Sequence, residues 1–256
     1  MNPGRKNAQF RPCIDLHDGK VKQIVGSTLS DSGNGLKTNF IADRGPAWFA
    51  ELYRRDNLRG GHVIKLGPGN DDAAKEALAA WPGGLQVGGG ITAENAAMWL
   101  DAGAAQVIVT SYIFRDGLLH MDLLEKLFRI TGRDRLTLDL SCRRGRDGAF
   151  YIVTDRWQKF TSLRVEEQTL CLLAKYCTEF LIHAVDVEGK QSGIDRELLH
   201  LLAESSPIDC VYAGGISSLE EIADIDALGR GKIHYTIGSA LDLFGGKLKY
   251  DEIIRL

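Results

Sequence analysis

Short runs of Val, Ile and Leu alternate with longer amphipathic stretches along this chain. Eight runs stand out: RPCID from Arg11, HVIKL from His62, LQVGG from Leu85, QVIVT from Gln106, LTLDL from Leu136, FLIHAV from Phe180, IDCVYAG from Ile208 and IHYTIG from Ile233. Nearly continuous apolar runs mark parallel strands covered on both faces. Between most of them lie segments of helical period. These are PAWFAELYRRDN from Pro46, NDDAAKEALAAW from Asn70, TAENAAMWLDAG from Thr92 and DGLLHMDLLEKLFRITG from Asp116. The second half adds RVEEQTLCLLAKYCT from Arg164, DRELLHLLAES from Asp195 and SLEEIADIDALG from Ser218. Thr92 and Ser217 or Ser218 suit helix N-caps. Gly103, Gly132 and Gly229 suit C-caps of positive φ. Strand and helix alternating eight times in about 250 residues predicts an α/β fold, a (β/α)8 TIM barrel over residues 1–256. A doubly wound open sheet is the runner-up.

The pattern repeats. Asp15 and Asp139, Gly89 and Gly215, and Ser111 and Ser239 keep their order at nearly constant intervals of 124–128 residues. Each Asp precedes an Asp-Gly turn signal and another apolar run, DGKVKQIVG from Asp18 and RDGAFYIVTD from Arg146. Two similar half-barrels, about 11–132 and 133–256, are therefore expected. Each alone would leave a sheet edge open, so the halves should close one barrel.

Composition narrows the class. A net charge of −3 gives no bias toward nucleic acid or acidic membranes. No apolar run reaches the roughly 18 residues of a membrane-spanning helix. The N-terminal MNPGRKNAQF has no apolar signal core. Five cysteines, an odd number with no CxxC pair, argue against a disulfide framework or zinc site. A reducing, cytoplasmic location is expected; the sequence leaves the oligomeric state open, a monomer included.

Glycine is enriched and clustered, at QVGGGI and VYAGGIS. In a barrel these clusters follow the third and seventh strands, at the mouth. Bare backbone N–H groups there can meet a phosphate. Gly88, Gly89 and Gly90 with Thr110 and Ser111 would form one cup; Gly214 and Gly215 with Gly238 and Ser239 would form the other. Two cups across one mouth imply a ligand phosphorylated at both ends. The plainer reading of each cluster alone is a tight turn. Asp15 and Asp139 either serve locally, Asp15 in the DLHDG turn and Asp139 as a loop cap, or flank the same ligand as an acid–base pair. His183 is either a mouth residue or a satisfied core histidine. Lys65 either meets an anion or is a solvated tip. The run SCRRGR is a solvated loop or a phosphate contact, Cys13 and Cys142 are packing residues, and Asp186 and Glu188 have no assigned task. No nicotinamide or metal motif is present, so neither is expected.

CIDLHDGKVKQIVG, HVIKLGPGNDDAAKEAL, QVGGGI, LDLSCR, LIHAVDVEG, VYAGGI and GSALDLFGG together resemble the histidine-biosynthesis isomerase family, the phosphoribosylformimino-5-aminoimidazole carboxamide ribotide isomerases. The likeness runs from about Pro12 to Asp251 and is nearest the fungal and plant branch. It implies an Amadori rearrangement of a bisphosphorylated aminoaldose to the aminoketose, with no cofactor. It assigns Asp15 as base and Asp139 as acid. Three positions depart from the commoner pattern: His183 stands for Thr, Thr92 for Arg and Lys65 for an acid. Rival readings are the cyclase subunit of the same pathway and a non-catalytic phosphosugar-binding protein; acceptance of phosphoribosylanthranilate also stays open. The mouth loops 19–39 and 143–147 are expected to order on substrate binding.

Overall fold

The computed structural model describes residues 7–24, 38–155, 157–188 and 193–256. Eight parallel strands form the central sheet: β1 (Cys13–His17), β2 (Gly61–Lys65), β3 (Leu85–Gly88), β4 (Val107–Val109), β5 (Leu136–Asp139), β6 (Glu179–His183), β7 (Asp209–Ala213) and β8 (Ile233–Thr236). They are hydrogen-bonded in chain order. The sheet closes on itself. Phe10 bridges Tyr235 in parallel, and the Arg11 N–H donates to the Tyr235 carbonyl at 2.8 Å. One helix follows each strand: α1 (Pro46–Arg55), α2 (Asp71–Ala80), α3 (Ala96–Asp101), α4 (Met121–Thr131), α5 (Glu167–Leu173), α6 (Arg196–Ser205), α7 (Leu219–Leu228) and α8 (Tyr250–Ile253). This is a (β/α)8 barrel.

Local chemistry explains the helices. Pro46 opens α1, where its missing N–H and fixed φ cost nothing. Leu123, Leu124 and Leu127 put one apolar stripe of α4 against the barrel. Ser218 and Glu221 close a full capping box on α7. Three expectations need correction. The helix read from Asp116 starts only at Met121, because Asp116 and Gly117 (φ 51° and 76°) make a two-residue turn pairing Phe114–Arg115 with Leu118–Leu119. Gly229 has φ −71°; it is glycine because a Cβ there would lie 2.6 Å from the Ile225 carbonyl oxygen. The α3 N-cap is Asn95, not Thr92.

Two layers fill the barrel. Ile64, Ile108, Leu181 and Val211 form a small apolar cluster apart from the main core. Near the N-terminal ends of the strands, Gln86 Nε2 donates to Glu179 Oε1 at 2.6 Å and to Gln106 Oε1 at 2.7 Å, and Thr137 Oγ1 donates to the same Gln106 oxygen at 3.0 Å. Polar side chains in a barrel floor are tolerated because they bond one another. Above the apolar layer the mouth is framed by appendages following the two aspartate strands. Strands Lys20–Ile24 and Thr38–Ile41 follow β1; a three-stranded sheet, Cys142–Arg144, Phe150–Thr154 and Lys159–Arg164, follows β5. Much of the 19–39 loop lies outside the described residues.

Candidate active site

Asp15 sits near the C-terminal end of β1. The turn at Asp18 and Gly19 (φ 51° and 72°) sends the chain back antiparallel, with Leu16 opposite Val21. That return places Gln23 over Asp15, and its Nε2 donates to Asp15 Oδ2 at 2.9 Å. Burial pushes the Asp15 carboxyl up to about 6; the Gln23 hydrogen bond and the charge on His183 resist, and Glu188 adds to the rise. A carboxylate with that affinity is a usable base near neutral pH.

Asp139 ends β5. Its Oδ1 accepts from Ser141 Oγ at 2.8 Å and lies 3.2 Å from His183 Nδ1. Thr110 Oγ1 approaches Oδ2 at 3.4 Å. Burial raises the Asp139 carboxyl, but the His183 charge and hydrogen bond with Ser141 outweigh it, so the net displacement is downward. Burial lowers His183, but the Asp139 carboxylate outweighs that and carries the imidazole to about 9. At neutral pH the pair is a carboxylate and an imidazolium. Asp139 holds a proton on the facing His183 ring, so the pair carries one exchangeable proton into the mouth. Trp157 lies over this histidine, ring centroids 5.7 Å apart, and its Nε1 donates to Ser141 Oγ at 3.0 Å.

Two cavities meet at these groups. The larger, of about 480 Å³, is lined by Gly89, Gly90, Thr92, Thr110, Ser111 and Lys65, with Asp139 and Trp157. The smaller, of about 60 Å³, is lined by Gly214, Gly215, Gly238 and Ser239, with Cys13 and His62. Asp15, Gln23, His183 and Glu188 line both. The sequence-predicted cups thus lie on either side of the candidate catalytic groups. Gly88 lines neither: it faces Ile64 and Ile108, where a Cβ would lie 2.7 Å from Ile64 Cδ1. A Cβ on Gly215 would fall 1.9 Å from the Gly193 carbonyl oxygen, whereas one on Gly90 would meet nothing within 4 Å. One glycine permits close packing and the other leaves backbone open to the cavity. The Glu221 carboxylate takes the N–H groups of Ser217 and Ser218 at 2.7 and 3.2 Å, so those donors are engaged by the capping box.

The ambiguous residues resolve. Lys65 is no solvated tip. Its Nζ lies 3.8 Å from the Trp99 ring centroid and 2.8 Å from Asp71 Oδ1, facing the larger cavity. Arg143 and Arg144 are held in ion pairs with Asp186 and Glu197 at 3.0 and 2.7 Å. Cys142 is packed; Cys13 is buried yet borders the smaller cavity.

The family model described as "Histidine biosynthesis protein" matches residues 9–249. The chain belongs to that family. Among curated relatives, one from Neurospora crassa is 51% identical over 93% of this chain and 94% of the relative. One from Medicago truncatula, named chloroplastic, is 50% identical over 97% of this chain and 81% of the relative. One from Saccharomyces cerevisiae is 45% identical over 96% and 97%. All three are named imidazole-4-carboxamide isomerases whose full names carry two 5-phosphoribosyl groups. No helix among the described residues of this family member is long and apolar enough to cross a membrane.

Sequence reasoning missed three residues of this candidate site or left them without a task. Glu188 brings a third carboxyl between the cavities, and its buried Oε2 has no hydrogen-bond partner among the described residues. Burial and the Asp139 charge raise it, and His183 opposes them. Its only sequence signal was an acidic pair just after β6. His62 is driven down to about 3 by burial, with the His183 charge adding, and is neutral. Trp157 comes from a turn whose register no local pattern reveals.

Proposed function

We propose that the chain is the isomerase of histidine biosynthesis, rearranging the bisphosphorylated aminoaldose to its aminoketose isomer. The observation that carries this reading is the arrangement of a raised carboxylate and a carboxylate–imidazolium pair between two glycine-lined cups. The larger cup, with Lys65 at its edge, suits one phosphate; the smaller suits the other. His183, held protonated by Asp139, donates to the furanose ring oxygen as the C–O bond breaks, leaving an iminium. Asp15 then takes the proton from the carbon beside it, giving an enolamine that tautomerises to the ketone. The iminium accepts the electron pair, so side chains suffice. Five free cysteines suit a reducing, cytoplasmic location.

The test is to give the purified protein the aminoaldose and follow the sugar carbons by NMR. Conversion to the ketose at constant mass is expected. Asp15→Asn should slow turnover by about 10²–10⁴-fold while still binding the bisphosphate. Ammonia-dependent cleavage of supplied ketose would instead assign the cyclase activity.

A further inference from the structure

Cys13 and His62 are register partners on adjacent parallel strands, β1 and β2. Asp15 is two residues along β1, on the same face as Cys13. The Cys13 sulfur, a His62 ring nitrogen and an Asp15 oxygen all lie within 4.8 Å of one another. All three border the smaller cavity. The His62 ring is buried and has no hydrogen-bond partner among the described residues. Gln23 Nε2 now occupies the point between the other two, at 3.7 Å from Cys13 Sγ and 2.9 Å from Asp15 Oδ2.

We propose that Cys13, Asp15 and His62 form a binding site for a thiophilic divalent cation such as Zn2+, which on binding takes Asp15 out of catalysis. A thiolate, an imidazole and a carboxylate form a donor set that prefers zinc-like ions to magnesium or calcium. Bonds of about 2.0–2.3 Å to a tetrahedral ion require donors about 3.5 Å apart, so the three atoms close by roughly an ångström. Gln23 is displaced; turned over, the same amide offers Oε1 as a fourth donor. The Cys13 thiol gives its proton to solvent as the sulfur–metal bond forms, and no electron is transferred. With the ion bound, the Asp15 oxygen that would accept the substrate proton is coordinated. Inhibition then competes with substrate. This inhibitory consequence rests on Asp15 being the general base; ion binding does not.

Co2+ added to the reduced native protein reports binding directly. A thiolate-to-cobalt charge-transfer band saturating at one equivalent is expected, lost in Cys13→Ser and kept in Cys171→Ser, which removes the exposed thiol. No band in the native protein, or a band that survives Cys13→Ser, overturns the site. In the isomerase assay, Zn2+ should inhibit reversibly, with chelator restoring the rate and substrate protecting. His62→Gln, read against its own uninhibited rate, should need more than about tenfold more Zn2+. Equal sensitivity of the variant would overturn the inhibitory role. A saturating cobalt band in a protein without isomerase activity would support the site while rejecting the functional reading.

Discussion

The proton inventory of the mouth sets a pH profile. Asp15 must be ionised to act as base, so kcat/KM should rise with pH through an apparent value near 6. His183 must be protonated to act as acid, so the same quantity should fall through a value near 9. These belong to coupled groups and will be read as macroscopic values. His183→Asn should lower kcat and abolish the alkaline limb. An unchanged alkaline limb in that variant would move the acid elsewhere, with Glu188 next in line by position. The two aspartates were visible in the sequence as mates of a repeat. The pairing of Asp139 with His183 was not. It depends on a 3.2 Å contact between residues 44 positions apart on β5 and β6.

At the scale of elements, glycines in the two cups do different work, and thermal unfolding can separate them. Gly215→Ala forces a methyl onto the Gly193 carbonyl at positive φ and should cost about 1–3 kcal/mol or more. Gly90→Ala meets no neighbour and carries only the conformational cost of a side chain at positive φ, about 1–2 kcal/mol. It should chiefly raise KM by covering backbone that faces the larger cavity. Equal losses of Tm would mean that packing at Gly193 is not what Gly215 serves. Strand positions were legible because buried parallel strands are written as unbroken apolar runs. Helix limits were less so. The turn at Asp116–Gly117 and the short α5, ending at Leu173, follow from pairing and packing partners that the local period does not encode.

Over the whole molecule, the site is carried at a cost in stability. Asp15 ionises near 3.8 when unfolded and near 6 in the fold. Below pH 3.8 the carboxyl is neutral in both states and imposes no penalty. As pH rises through 6 the fold must hold a desolvated charge, and stability is lost. Asp15→Asn should therefore raise Tm at pH 8, with a gain on the order of 1–2 kcal/mol because the carboxyl still partly meets water. The gain should vanish below about pH 4. A Tm difference independent of pH would show that the carboxyl charge is not its source. His183 runs the same direction for the opposite reason. Its ion pair contributes in full below 6.5 and is lost as pH rises through about 9.

The sequence alone determined the alternation of strand and helix, the count of eight, the duplicated aspartates and glycine clusters, and the family resemblance. Each is a matter of local period, spacing or motif, which the chain carries in one dimension. Tertiary structure alone decided the closure of Phe10 onto Tyr235, the pairing of His183 with Asp139, the engagement of Lys65 with Trp99, and the meeting of Cys13 with His62. Those contacts join strands and loops distant in sequence. Their energies come from burial and from charges a few ångströms apart, quantities that exist only once the barrel has closed.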